Sequence, residues 1–63
     1  MITLTLKLMK QAASENPGKY KIRNEALTLE SYNAVLKYHV LVDRDTDTGI
    51  AMTKWRAYKL KAV

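Results

Sequence analysis

Apolar and polar residues alternate without exception along "ITLTLKL". Ile2, Leu4, Leu6 and Leu8 fall on one side, Thr3, Thr5 and Lys7 on the other. Period two with β-branched residues predicts a half-buried strand over residues 2–8. A helical rhythm runs through the same stretch, since Ile2, Leu6, Met9 and Ala13 are spaced i, i+4, i+7, i+11. Unbroken alternation over seven residues outweighs that rhythm, and "LMKQAAS" is expected to coil into a helical turn after it. "SENPG", residues 14–18, stops the element: Asn16 precedes a proline and is driven from the α region, and Gly18 has access to positive φ. "KYKIRN", residues 19–24, then alternates Lys19, Lys21 and Arg23 with Tyr20 and Ile22. It predicts a second strand, antiparallel to the first.

"TLESYNAVLK" carries the strongest helix signals. Thr28 is a good N-cap, Glu30 sits in the first turn, and Leu29, Tyr32, Val35 and Leu36 share a helical face. From Tyr38 the composition turns to "YHVLVD", which predicts a third strand. The segment "IAMTKWRAYKLKAV" contains no Gly, Pro, Asn or Asp, and predicts one uninterrupted strand over residues 50–63. Ala51, Trp55, Tyr58 and Ala62 also keep helical spacing there, so a helix is the alternative.

These elements predict an α+β fold: a small antiparallel sheet in ββαββ order with one short helix packed on one face. The pattern also resembles a winged helix-turn-helix, with residues 3–14 as first helix and "LESYNAVLKYHVLVD" as recognition helix. No specific motif carries that likeness, and residues 50–63 offer no turn on which a wing could fold back.

"VLVDRDTDTGIAM" places Asp43, Asp45 and Asp47 at alternate positions, like the first three ligands of an EF-hand loop. Thr48 then occupies the position that needs glycine and Lys54 the position of the bidentate glutamate. A cation there removes two oxygens and repels the ion. With strand-like flanks, "RDTDTG" reads as the turn of a hairpin, with Gly49 free to take positive φ and the aspartates bonding the local backbone.

The length, 63 residues, sets one domain, whose chain buries only about 60% of its unfolded surface. With no cysteine there is no disulfide or thiolate site. A tidy core or a second copy is what remains to stabilise it, so a homodimer is expected. The N-terminus lacks the apolar block of a secretory signal, and no apolar run approaches the roughly 20 residues of a membrane span. A soluble, cytoplasmic protein is expected.

Catalysis is not expected. His39 is the only histidine, Glu15, Glu25 and Glu30 fall in different elements, and the two glycines are too far apart for a phosphate loop. No cofactor, metal or small-molecule substrate is implied. Charge points elsewhere: eleven Lys/Arg against six Asp/Glu give +5, which favours an anionic partner. A solvated surface that keeps a small protein dissolved has the same composition.

"KWRAYKLK", residues 54–61, sharpens the choice. A β-bulge near Ala57 and Tyr58 would place Lys54, Arg56, Lys59 and Lys61 on one face, and Trp55, Tyr58 and Leu60 on the other, against the helix. With Lys19, Lys21 and Arg23 they would pave the open face of the sheet with seven cations. Two functions follow as expectations. One is a small non-enzymatic protein that binds nucleic acid, or joins a nucleic-acid-handling complex, through these residues. The other is a protein–protein inhibitor or adaptor that meets an acidic partner or lends a strand edge to it. Small virus- or plasmid-encoded regulators, anti-defence proteins among them, share this size and character.

Overall fold

The N-terminal segment resolves in favour of its helical rhythm. A computed structural model describes residues 1–60, in which the first strand, β1, is only Ile2–Thr3. Thr5 leaves the extended region as an N-cap, its Oγ1 accepting a hydrogen bond from the Leu8 N–H at 3.3 Å. Helix α1, Leu6–Glu15, follows. It buries Met9 completely, with Ala12 and Ala13 beside it on the same face, while Leu8 is 49% exposed. Asn16 closes the helix by returning its N–H to the Ala12 carbonyl, and Pro17 prevents another turn. The strand expected over residues 2–8 is therefore corrected to two residues.

The expected helix at residues 28–36 is also absent. Strand β2 runs Tyr20–Leu29, a single 3₁₀ turn occupies Glu30–Tyr32, and β3 runs Ala34–Asp43. Asn33, at φ 48°, supplies the left-handed residue that reverses the chain and sets Ala34 opposite Leu29. The two strands then pair in unbroken register to Tyr20 opposite Asp43. The helical spacing of Leu29, Tyr32, Val35 and Leu36 was local; an antiparallel ladder satisfies ten residues on each strand and overrides it. With residues 34–43 extended there is no recognition helix, so the winged-helix alternative also falls.

A four-residue loop joins β3 to β4, Thr48–Met52, confirming the hairpin. Asp43 Oδ1 accepts the Asp45 N–H at 2.9 Å, and Asp47, at φ 52°, takes the left-handed position. Gly49 does not have positive φ; it lies within β4. The C-terminal segment is not one strand. Residues 53–55 interrupt it before β5, Arg56–Lys59.

The result is an α+β architecture with one helix and a five-stranded mixed, open sheet. The order is β1-β4-β3-β2, with β1 parallel to β4, and β5 pairing the first half of β3 on the side where β4 pairs the second. The helix follows β1 and precedes the other four strands, so the ββαββ order is corrected. Met9, Leu41 and Ala51 form the core, flanked by Leu4, Ala12, Ala13, Tyr20 and Ile22. This core sits at one end of the sheet. Beyond Ile22 the helix-side residues of β2, namely Asn24, Ala26 and Thr28, are exposed. The β2–β3 hairpin thus extends past its helix as an arm, and the molecule measures 44 × 22 × 18 Å. Among the described residues no helix is long and apolar enough to cross a membrane.

Candidate functional site

One inserted residue decides which side chains meet. Between the pair Val40–Met52 and the pair Lys37–Arg56, residues 53–55 stand opposite only Tyr38 and His39. The Thr53 N–H donates to the His39 carbonyl at 2.9 Å, and Thr53 Oγ1 accepts the His39 N–H at 2.8 Å. These bonds lock the strand before the extra residue, which flips the parity of all that follows. Arg56 then lies across from Lys37, and Tyr58 across from Val35, on the helix side of the sheet. Thr53→Val is expected to destabilise the protein by about 1 kcal/mol, because a part-buried N–H loses its acceptor. A urea titration reads it, and an unchanged midpoint would show that the bulge does not depend on this hydroxyl.

The consequence is a groove of about 850 Å³ between the start of α1 and the uncovered arm. Asn24, Ala26, Lys37, His39, Arg56 and Tyr58 form its floor by alternation along β2, β3 and β5. Thr3, Leu4, Thr5 and Leu6 form one wall, where the positive end of the helix dipole lies; Thr53 and Lys54 form another margin.

Its electrostatics are one-sided. Among the described residues Lys37, Lys54 and Arg56 make no ion pair. Glu25 is the single carboxylate residue at the margin, and its side chain is bound to Arg23 on the opposite face. Lys37 Nζ stands 5.4 Å from the centre of the Tyr58 ring, a cation–π distance. Tyr58 is 48% exposed and Trp55, in the bulge, 52%. His39 contributes a ring nitrogen, Nδ1, that is buried and has no hydrogen-bond partner among the described residues. Elsewhere, among the described residues, no three His, Cys, Asp or Glu side chains gather closely enough to hold a metal ion.

The seven cations singled out in the sequence do not pave one face. Lys54 and Arg56 line the groove. Lys21 and Arg23 point from the opposite face, paired with Asp47 and Glu25. Lys59, across from Ala34, shares that opposite parity at the far end of the arm. Lys19 precedes β2 and lies over the Tyr20 ring at 5.4 Å. Lys61 lies outside the described residues. The bulge expected near Ala57 and Tyr58 falls before Arg56 instead, so Arg56 and Tyr58 share a face where separation was expected. Trp55, Tyr58 and Leu60 are half exposed and do not pack beneath the helix.

Lys37 and Tyr58 complete the groove, and neither was identified as a cation site or an exposed stacking ring. The signal for Lys37 was the alternation that groups it with His39 and Leu41 once residues 34–43 are read as a single strand. Comparison with protein-family models, with curated proteins and with solved structures found no match.

Proposed function

We propose that this protein is a non-enzymatic binder of single-stranded nucleic acid, held along the groove between α1 and the hairpin arm. The observation that carries this reading is the convergence of Lys37, Arg56 and the exposed ring of Tyr58 on a concave floor, with Lys54 at its margin and the one nearby carboxylate turned away. The cations neutralise phosphates, and the ring offers a stacking platform of the kind that a splayed base uses whatever its identity. A single strand suits the site better than a duplex, whose paired bases cannot reach a ring on a recessed floor.

Fluorescence anisotropy with a labelled oligonucleotide tests it. Affinity is expected to fall with salt at a log–log slope of about −2, from three phosphate contacts at roughly −0.7 each. Tyr58→Ala should weaken binding about 5- to 150-fold, the stacking contribution of one base. Lys37→Glu with Arg56→Glu should abolish it. If neither DNA nor RNA binds in any strand form at low salt, the reading is wrong. Capture of an acidic protein in the absence of any oligonucleotide binding would assign the groove to a protein partner.

A further inference from the structure

The outer edge of β2 is free along its whole length among the described residues, since the sheet order ends on this strand. It spans ten residues, Tyr20–Leu29, with no proline, glycine or bulge and, among the described residues, no covering element; of the devices that guard such an edge it has only the charges of Lys21, Arg23 and Glu25. The surface also exceeds what one compact chain presents. The protein exposes 5053 Å² at 7.2 kDa, against about 4,100 Å² for a compact monomer of that mass. Its radius of gyration is 13.7 Å, against about 10.6 Å. The excess, about 900 Å², is close to the roughly 800 Å² that each partner contributes to a standard interface.

We infer that a second copy of this chain adds to β2, edge to edge and antiparallel, about a two-fold axis at Asn24. The register follows from charge. An axis perpendicular to the sheet keeps each residue opposite one of its own parity, so the candidate centres near mid-strand are Arg23, Asn24 and Glu25. Centring on Arg23 sets Arg23 against itself, and centring on Glu25 sets Glu25 against itself; like charges directly opposite are destabilising. Centring on Asn24 sets Arg23 against Glu25 of the partner, twice by symmetry. It also sets Ile22 against Ala26, and it engages nearly all of β2.

The same register repairs the one-sided cover of the arm. Tyr20 and Ile22, which lie beneath α1, come opposite Thr28 and Ala26 of the partner, where the arm has no helix above it. Both helices stay on one side of a continuous sheet, and both grooves open on that side.

A charge-exchange experiment tests the edge and the register together. Wild type is expected to sediment at twice the 7.2 kDa chain mass. Arg23→Glu alone, and Glu25→Arg alone, should each self-associate at least tenfold more weakly, because both cross-strand pairs between positions 23 and 25 become repulsive. Mixed in equal amounts, the two variants should form a heterodimer, since all four opposed residues are then of opposite sign. The doubly exchanged R23E/E25R should dimerise as wild type does. Both side chains are partly exposed and their pairing within the chain is expected to add little, so circular dichroism should show each variant folded. A wild type that stays monomeric at millimolar concentration, single variants that remain dimeric, or a mixture with no heterodimer would overturn the inference.

Discussion

Met9→Ala is expected to lower the unfolding free energy by about 2–5 kcal/mol, a large share of this protein's stability. Met9 has no exposed surface and is the one fully buried residue of α1. It clusters with the paired Leu41 and Ala51 of the sheet, and Leu4, Tyr20 and Ile22 pack against that cluster. Removing a buried side chain of that size costs about 2–5 kcal/mol, through lost transfer energy and the cavity left behind. A domain of this length has roughly 3–9 kcal/mol in total. The helix has no independent support, because ten residues are too few for a stable isolated helix in water. Losing its anchor also removes the groove wall formed by residues 3–6. Urea unfolding followed by circular dichroism checks this, with Met9→Leu as the volume-conserving control, expected to stay within about 1.5 kcal/mol of wild type. A Met9→Ala protein with the wild-type midpoint would show that the helix is held by something other than its apolar face.

Gly49→Ala is the second large effect, about 1–3 kcal/mol of destabilisation from overpacking. A Cβ placed on Gly49 would stand 2.8 Å from Val40 Cγ1 and 3.0 Å from Met1 Cε. The methionine is 71% exposed and can move aside. Val40 cannot do so cheaply, being 2% exposed and stiff at χ1 through its β-branch. The clash therefore falls on the centre of β3. Chemical denaturation of Gly49→Ala, Val40→Ala and the double variant separates causes: shared space predicts that the double variant is more stable than the sum of the single losses allows. Strict additivity would refute a packing origin. The turn needs its left-handed residue at Asp47, so the glycine serves close packing.

Legibility along the chain tracked how far each decision reaches. The stop at "SENPG" and the tight loop after Asp43 were readable, because proline geometry and Asx bonding act within a few residues. The strand character of residues 19–24 was readable from alternation, and that of residues 38–43 from β-branched and aromatic composition. At residues 2–8 two periods fitted the same residues and the favoured one lost; at residues 28–36 the helical spacing lost to the ladder between β2 and β3. Thr5 was visible as a polar position in a strand; only the core around Met9 makes it a cap. Thr28 was visible as a cap; only the ladder to Val35 makes it a strand residue.

The candidate site divides in the same way. Composition established that the protein is basic, small and without cysteine, and residue order that its cations are interleaved with aromatics near the C-terminus. Which of those cations share a surface was decided in the tertiary structure, by one residue among 53–55 that has no counterpart on β3. A bulge is a mismatch between two strands, so its position depends on a partner more than ten residues away and leaves no local mark. Because side chains alternate with period two, that single insertion moved Arg56 and Tyr58 to the helix side and left Lys59 on the other.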